Sequence, residues 1–418
     1  TTHCLQKKLQ HRRMTMNKIE LLAPAKDLFK AKIAVDYGAD AIYLGGKCFS
    51  LRSRASNFEN EDIKEIVEYA HSKGVKVYIT VNIVFHDDDF VGIKEYLAYL
   101  DEIGVDAIIV SSLFIVNYVK KHHPRMEAHI STQMSSINSD AVSVLKMYGA
   151  DRVVLGREVS MDEIKLISSV SSLPLEVFIH GGMCSNYSGR CVLSNRMTNR
   201  DANRGGCAHS CRWKYHVYED DTLISDPECP LSMSSKDLRA ADYVEEMIKC
   251  GVASLKIEGR MKSEYYIAQV VKTYRMLIDE VYEKGHLEED RLAYYNNELT
   301  KAENRLSDSG FLSGKCDDSK HLYGVNGSGV THDYVGLVKA YDKNRSLALV
   351  EVKNMFDIND TLEVFGPSVN NERFKNTVMF DDEWNFLNEA HKPCQLVVIR
   401  MPFEVSKNDM IRKVNDDC

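Results

Sequence analysis

Four cysteine side chains fall within one 28-residue window of the chain, spaced as Cys184-x6-Cys191-x15-Cys207-x3-Cys211. Four thiolates are the ligand set of a 4Fe-4S cluster and of a tetrahedral zinc site. Structural zinc usually takes its ligands from two short Cys-x2–4-Cys pairs, and only the second pair here is that close. From the spacing alone, three hypotheses remain open: an iron–sulfur cluster, a zinc ion, or thiols that bind no metal.

Basic and aromatic side chains surround these cysteines, and Asp201 is the only acidic residue between residues 184 and 217. Arginine pairs with phosphate groups, and aromatic rings stack on unpaired bases. The pattern predicts an RNA-binding or cosubstrate-binding surface, with Arg190, Arg204, Arg212 and Trp213 as candidate contacts. The alternative hypothesis is a solvated loop whose arginines form ion pairs with the acidic remainder of the protein. The other cationic and aromatic residues of the stretch are Arg196, Arg200, Lys214, Tyr187 and Tyr215.

The elements that must position these groups follow a repeating β/α pattern through about residue 260. A helical segment ends at a glycine, which tolerates the left-handed cap conformation, and a short apolar run follows, as at Gly38 and Gly104. Eight such runs indicate buried parallel strands. The pattern predicts an α/β fold, a TIM-type (β/α)8 barrel over residues 16–262, with a doubly wound open sheet as the alternative.

In such a barrel the functional side chains lie at the carboxyl ends of the strands. There we expect His180, Glu258 and Arg260 as candidate catalytic residues, and Asn82 and Arg157 as candidate contacts for RNA or a cosubstrate. Each of them can instead be a buried polar residue satisfied by its neighbours, because barrel interiors are packed.

The cysteines belong to a long insertion, residues 181–233, that lacks helical or strand periodicity and precedes the last barrel strand. An insertion of this length inside a compact domain is functional or disordered, and its cysteines and aromatic residues favour function. Residues 263–330 are predicted to form a helical segment that leads away from the barrel, followed by a turn-rich linker. Short alternating segments predict a small all-β domain, a barrel or sandwich, over residues 331–418.

The composition is ordinary for a folded protein, because 44% of the 418 residues are hydrophobic and 27% are charged. No stretch approaches the roughly 18 apolar residues of a membrane helix. Residues 1–15 lack the apolar core of a secretion signal, and we expect them to be a non-native or disordered leader. A tight cysteine group without such a signal favours metal binding in the cytoplasm. The net charge of -8 argues against a surface built wholly for nucleic acid.

The run Glu176–Ser194 closely resembles the signature of the collagenase-like peptidase family U32. The likeness extends to nearly everything from Met16 onward, including the β-rich end. One departure is Gly182, where the family more often has Ala or Ser. The supporting segments are Glu20–Ala25, Gly38–Tyr43, Asn203–Tyr215 and Ser254–Lys262.

The resemblance implies a 4Fe-4S cluster on Cys184, Cys191 and Cys207. Alignment of the basic and aromatic residues that follow the fourth family cysteine puts the fourth ligand at Cys211, with Cys229 in reserve. The stretch Arg-Gly-Gly-Cys-x3-Cys-Arg-Trp-Lys-Tyr and the β-rich end are similar to the tRNA-hydroxylating members. They imply conversion of the tRNA wobble uridine to 5-hydroxyuridine, with prephenate as a required metabolite. The implied partners are the tRNA anticodon loop and a second family member.

Three other functions stay open. A collagenase-like peptidase, as the family name says, needs a nucleophile with an oriented base, and the sequence contains neither His-Glu-x-x-His nor Gly-x-Ser-x-Gly. Hydroxylation of 23S rRNA cytidine fits the same cysteine pattern as tRNA hydroxylation. A zinc-stabilised RNA-binding module would account for the cysteines and arginines without any redox chemistry.

Overall fold

The structure is a computed structural model, and it describes residues 18–51, 58–228, 230–302, 304–314, 317–322 and 333–414. Three hydrophobic clusters organise these residues: a large one and a small one in a β/α barrel, and one in a C-terminal β domain. None of the helices in these ranges is both long enough and apolar enough to cross a bilayer.

Eight parallel strands close into the barrel, which confirms the TIM-type prediction and excludes the open sheet. The last barrel strand pairs in parallel with both the first and the seventh, so the ring of eight strands is closed. Short apolar runs form these strands because both faces of each are covered, by the barrel interior and by the helices. The barrel strands are β1 (Glu20–Pro24), β2 (Ala41–Leu44), β3 (Lys76–Val81), β4 (Ala107–Val110), β5 (Glu127–Ile130), β6 (Arg152–Val154), β7 (Leu175–Gly181) and β11 (Ser254–Ile257).

Three short strands lie between the last two barrel strands: β8 (Tyr218–Glu219), β9 (Thr222–Leu223) and β10 (Asp237–Arg239). The end of β7 pairs antiparallel with β10, so β10 returns the chain to the barrel after a long detour. We call residues 182–236 the cysteine excursion. Its described residues form one short α-helix, two 3-10 turns and the β8–β9 hairpin, and Met183 is the one buried hydrophobic side chain among them.

The helices follow the strands in the expected alternation, and local sequence sets their ends. At the start of α6, for example, the Ser160 hydroxyl accepts from the Glu163 backbone N–H while the Glu163 carboxylate accepts from the Ser160 N–H, a reciprocal capping box. The helices are α1 (Leu28–Asp36), α2 (Asn60–Ser72), α3 (Ile93–Glu102), α4 (Leu113–His122), α5 (Ser139–Met147), α6 (Met161–Val170), α7 (Leu193–Thr198), α8 (Val244–Cys250), α9 (Glu264–Lys284) and α10 (Glu289–Thr300).

Helix α9 packs on the barrel as its eighth helix, against β1 and α1. Arg275 of α9 donates to Asp40 at 2.8 Å, and the Tyr274 hydroxyl donates to the backbone oxygen of Ile179 at 3.0 Å. The sequence-based expectation that this segment leads away from the barrel is therefore wrong. The helix is buried on two sides, by the barrel and by the C-terminal domain, so its polar positions do not mark a solvent-facing stripe.

The C-terminal domain is all-β, as predicted, and is built on a seven-stranded antiparallel sheet in the order β17-β16-β21-β13-β14-β20-β18. No pairing closes this sheet into a ring among the described strands. Strands β15 and β19 pair separately, and β12 extends the barrel sheet beside β10. The strands are β12 (Ser307–Asp308), β13 (Asp333–Asp342), β14 (Leu347–Val352), β15 (Phe356–Asp357), β16 (Thr361–Phe365), β17 (Glu372–Lys375), β18 (Met379–Asp381), β19 (Glu389–Ala390), β20 (Leu396–Arg400) and β21 (Met410–Lys413).

A buried ionic network joins this domain to the barrel helices. Arg412 of β21 is fully buried and donates to Glu363 of β16 at 2.7 Å, to Gln269 of α9 at 2.8 Å and to Glu298 of α10 at 3.2 Å. Opposite charges and hydrogen bonds offset the desolvation of each group. The contacts fix the β domain against α9 and α10.

Replacing Arg412 by Met should strongly destabilise the protein, because the buried Glu298 and Glu363 would keep only Lys301 and, at Glu363, the exposed Arg373 as cationic partners. We expect the free energy of unfolding in urea to fall by about 3–5 kcal/mol. The matched control is Arg373→Ala, which removes the exposed partner of the same Glu363 and should cost about 1 kcal/mol or less. Equal losses in the two variants would contradict the role given to Arg412.

Candidate functional site

A cavity of about 410 Å³ opens where the carboxyl ends of the barrel strands meet the cysteine excursion. Its walls include Asn82, Arg157, Glu258 and Arg260 from the barrel. The excursion contributes all four of the grouped cysteines, Cys184, Cys191, Cys207 and Cys211. The volume falls in the usual range for small-molecule sites. The structure thus brings the cysteine group and most of the predicted mouth residues into one space.

The four thiols are free, and they stand around the cavity rather than at one point. Within the described ranges no three His, Cys, Asp or Glu side chains come close enough to hold a single metal ion. Cys184 faces the open cavity and is solvent-exposed, but protein atoms crowd its other sides. This desolvation raises the pKa of the Cys184 thiol, and the neighbouring Cys211 and Cys191 raise it further. The reserve candidate Cys229 lies outside the described residues.

The loop that carries the first two cysteines is clamped to the barrel. Glu158, after β6, accepts hydrogen bonds from the backbone N–H and the hydroxyl of Ser188. The Ser135 hydroxyl donates to the backbone oxygen of Ser188. At Gly189 the backbone has φ +72°, and a Cβ there would lie 2.1 Å from the backbone oxygen of Gln133. Only glycine permits this close approach of the loop to the barrel.

A second set of hydrogen bonds ties the later cysteines to the earlier ones. The Ser194 hydroxyl, buried at the start of α7, lies 2.8 Å from the backbone oxygen of Arg200 and accepts from the N–H of Ala208 at 3.1 Å. The Asn203 amide donates to the backbone oxygen of Cys191 at 2.8 Å. The Asn186 amide points at the Cys191 sulfur at 3.5 Å. An excursion with little regular structure thus still supplies hydrogen-bond partners for these polar groups.

Two of the predicted RNA contacts have partners within the protein itself. Arg204 pairs with Asp89 at 2.7 Å, and this ion pair lowers the pKa of Asp89 although desolvation alone would raise it. Arg212 donates to the backbone oxygen of Met183 at 3.1 Å and lines the cavity. The Arg204 pair matches the alternative hypothesis of arginines that bridge to the barrel, whereas Arg212 contacts the excursion itself. Arg190 and Trp213, by contrast, are exposed.

The barrel side of the cavity is built from cations held in place by hydrogen bonds. Arg260 is buried and donates to the hydroxyls of Ser50 at 3.0 Å and Thr80 at 3.2 Å. Arg157 lies over the Phe178 ring, with 3.8 Å from its guanidinium carbon to the ring centroid. Its guanidinium is also 3.8 Å from the Glu258 carboxylate.

The remaining predicted mouth residues complete this wall. Glu258 accepts from the Tyr43 hydroxyl at 3.2 Å. Asn82 donates to the Ser131 hydroxyl at 3.3 Å and accepts from the Leu51 N–H at 3.2 Å. Both side chains are thereby positioned by barrel neighbours while they still line the cavity.

Sequence analysis missed a charged layer beneath the cavity. Lys256, which lines the floor, donates to Glu176 at 2.6 Å, and Arg152 bridges Glu176 and Glu20 at 3.2 and 2.6 Å. Burial alone would raise the pKa of Glu176, but the charges of Lys256 and Arg152 outweigh it and hold that pKa below its usual range. The sequence signal for this layer is Lys256, a charged residue in the middle of the short apolar strand β11.

His180 does not belong to the cavity wall, contrary to its prediction as a catalytic residue at the mouth. It is 4% exposed and packs against α9, with Nδ1 3.2 Å from the Tyr274 hydroxyl and the Tyr266 ring 5.7 Å away. Burial lowers the pKa of His180 to about 3, and Lys262 and Arg239 add to this shift. The residue is therefore neutral at physiological pH and acts as part of the packing.

The low pKa of His180 makes stability depend on pH in a defined direction. Below about pH 6.5, the ordinary pKa of histidine, His180 of the unfolded chain binds a proton. His180 of the folded chain stays neutral until the pH falls to about 3. The contribution of neutral His180 to the free energy of unfolding is thus fully present above pH 6.5 and is lost as the pH falls. Relative to His180→Asn, wild-type protein should lose about 2 kcal/mol more unfolding free energy between pH 7 and pH 5.

Urea unfolding of both proteins at the two pH values measures this difference. The exposed His216 provides the control, because His216→Asn should follow the wild-type pH dependence. A His180→Asn protein with the same pH dependence as wild type would show that His180 is not buried as a neutral side chain.

Two family models and three relatives define what the chain resembles. The model of peptidase family U32 matches residues 26–322, and that of the peptidase family U32 C-terminal domain matches residues 330–412. The chain is 41% identical over 415 residues to tRNA hydroxylation protein P1 of Bacillus subtilis, with 96% of each chain covered. It is 36% identical to a 23S rRNA 5-hydroxycytidine synthase of Escherichia coli, over 65% of this chain and 41% of the synthase. A collagenase of Porphyromonas gingivalis is 32% identical, over 85% of this chain and 88% of the collagenase. On these matches, the chain belongs to peptidase family U32.

Proposed function

We propose that this protein is an iron–sulfur-dependent RNA hydroxylase that converts the wobble uridine of tRNA to 5-hydroxyuridine in the cytoplasm, with prephenate as cosubstrate. The observation that carries the proposal is the shared cavity, in which four thiols face a wall of fixed cations. Among the relatives, the tRNA hydroxylation protein matches over almost its whole length, whereas the rRNA synthase matches over less than half of its own. This favours tRNA over rRNA as the substrate.

The donor set suits a 4Fe-4S cluster held by Cys184, Cys191, Cys207 and Cys211. A cluster of four irons is larger than one ion, so its ligands need not converge on a point, and thiols spread around a cavity fit it better than they fit zinc. When bound, the cluster would supply redox or Lewis-acid chemistry to the hydroxylation. The Asn186 amide would stabilise the Cys191 thiolate by its hydrogen bond to sulfur.

The cations of the barrel wall would bind and orient the cosubstrate. Prephenate carries carboxylates, and the guanidinium fork matches carboxylate geometry. Arg157 and Arg260 are each fixed by neighbours, whereas Lys256 on the floor is already paired with Glu176. Groups held in place before binding lose less entropy when the ligand arrives. Glu258 is the acidic group of this wall that could hold a proton.

The substrate base must leave its stack for its C5 atom to enter the cavity. An anticodon loop presents the wobble base unpaired, so extrusion costs little. Asn82 offers an amide at the wall that suits the polar edge of a uracil ring. Of the three catalytic candidates, Glu258 and Arg260 remain in this proposal and His180 does not.

The peptidase alternative has weaker support. A peptidase needs a nucleophile with an adjacent base that is itself oriented. His180, the histidine predicted for the site, lies behind the mouth and is neutral. Anaerobically purified protein that cleaves gelatin, and loses this activity on a single cavity substitution, would favour the peptidase over the hydroxylase.

Loss of one cluster ligand should remove both the cluster and the modified nucleoside. We expect Cys191→Ala to lose the brown absorbance and most of the iron and sulfide of anaerobically prepared protein. The same variant should fail to restore 5-hydroxyuridine in tRNA of a deletion strain, measured by mass spectrometry of nucleosides. The matched control is Cys394→Ala, because Cys394 is a free, exposed cysteine of the β domain. Unchanged iron in Cys191→Ala would refute the cluster.

The close approach of Gly189 to the backbone of Gln133 gives a test of the cluster site that leaves all four thiols in the sequence. Gly189→Ala would force a Cβ into the backbone of Gln133, displace the cysteine loop and lower the iron bound per chain severalfold. Gly74→Ala is the control, because Gly74 has nearly the same φ, +73°, with no atom within 4 Å of the added Cβ. Full iron content in Gly189→Ala would contradict a cavity that depends on this approach.

A further inference from the structure

Four exposed cations of the cysteine excursion have no ionic partner among the described residues. Arg190, Arg196, Arg200 and Lys214 are all exposed, and no ion pair is formed by any of them within the described ranges. Arg204, in the same stretch, is paired with Asp89. Among the cations of residues 190–214, Arg204 and Arg212 thus contact groups of the protein and the other four face solvent, in a chain whose net charge is -8.

Two exposed aromatic side chains accompany these cations. Tyr187 is 60% exposed and also lines the mouth of the cavity, and Trp213 is 42% exposed. The Trp213 and Tyr215 rings lie 6.5 Å apart at 33°, so Tyr215 extends the aromatic group. Large exposed aromatic rings beside unpaired cations are the elements of a single-stranded nucleic-acid surface, because rings stack on bases and cations pair with phosphates.

The clamps described above hold this surface rigid. Ser194 anchors the start of α7, so Arg196 and Arg200 emerge from a fixed helix and its end. Ser188 is fastened to Glu158 one residue after Tyr187. A surface fixed before binding needs little ordering when its partner arrives.

We propose that this excursion surface, formed by Tyr187, Arg190, Arg196, Arg200, Trp213 and Lys214, docks an unpaired RNA loop so that one base reaches the cavity. The inference rests on the proposed function and extends it by naming the docking side of the molecule. An unpaired loop is favoured over a duplex because stacking on Tyr187 and Trp213 requires exposed base faces. The RNA loop is also favoured over an acidic protein, because carboxylates would pair with the cations but would not stack on the rings of Tyr187 and Trp213.

The β domain carries a contrasting patch that serves as a control. Trp384 and Phe386 are each 54% exposed there and pack against Phe380. Beside them the chain carries Asp381, Asp382 and Glu383, which would repel phosphates. Exposed aromatic rings therefore occur on both surfaces. The excursion is the candidate RNA surface because its rings are accompanied by positive charge.

Salt dependence tests the phosphate contacts. With anaerobically purified full-length protein and a tRNA anticodon stem-loop as probe, Arg196→Ala combined with Arg200→Ala should weaken binding. The slope of log K against log salt should become shallower by about 1.4, from two contacts at about 0.7 each on single-stranded RNA. Lys375→Ala with Arg400→Ala removes the same charge from exposed positions of the β domain and should leave the slope unchanged. Equal slopes in the two double variants would overturn the proposal.

Tryptophan fluorescence tests the stacking contact, because the chain has only two tryptophans, Trp213 and Trp384. In Trp384→Phe the remaining Trp213 should be quenched by the stem-loop, and in Trp213→Phe the remaining Trp384 should not. Quenching confined to Trp384 would place the RNA on the β domain and overturn the proposal. So would equal affinity for a duplex of the same length, or competition by polyglutamate as strong as that by the stem-loop.

The test separates this inference from the proposed function. If the Arg196 and Arg200 double variant binds tRNA as wild type does while cells still form 5-hydroxyuridine, the docking surface fails and the hydroxylase stands. If binding depends on the surface but a deletion strain keeps its 5-hydroxyuridine, the hydroxylase fails and the RNA surface stands.

Discussion

The site depends on one constraint: a long excursion without regular core structure must be held over the mouth of a barrel. Buried backbone groups need hydrogen-bond partners, and the excursion obtains them from a few side chains. Glu158 accepts a hydrogen bond from Ser188, and the Ser194 hydroxyl is hydrogen-bonded to the backbone of Arg200 and Ala208. Arg204 forms an ion pair with Asp89 on the barrel. If these bonds are lost, the cysteines no longer share a cavity. The chemistry of the site therefore rests on polar contacts rather than on hydrophobic burial.

Charge is distributed so that an acidic protein presents positive groups where ligands would bind. Beneath the cavity, Glu176 neutralises Lys256 and Arg152, which allows ions to persist in a packed barrel. At the wall, Arg157 and Arg260 face the cavity. In surroundings of low dielectric constant, such fixed charges act more strongly on a ligand than they would in water. The inner cations suit a small carboxylate, and the outer cations of the excursion suit a polyanion.

Helix α9 connects the mouth to the C-terminal domain. Its Tyr266 and Tyr274 enclose His180 at the end of β7, and its Gln269 receives Arg412 from the β domain. One helix thus packs the back of the site and fixes the neighbouring domain. This double burial accounts for the buried polar side chains of α9, among them Gln269, Lys272 and Thr273. It also explains why a helix that belongs to the barrel was expected to leave it.

The sequence by itself determined the eight β/α units and the local grouping of the four cysteines. Both signals are short-range: strands and capping glycines recur at regular spacing, and all four thiols lie on one excursion. The mouth positions of Asn82, Arg157, Glu258 and Arg260 followed from the barrel, because strand ends meet at one face.

Only the tertiary structure decided which side chains face the cavity and which form contacts within the protein. Alternation along β7 puts His180 on the same side as Glu176 and Phe178. The register, however, shifts between Lys256 and Ile257 where β11 pairs with this strand, and His180 packs against α9 instead. The partner of Arg204 is Asp89, 115 residues away along the chain. Such outcomes depend on contacts between distant segments, and local spacing carries no information about those contacts.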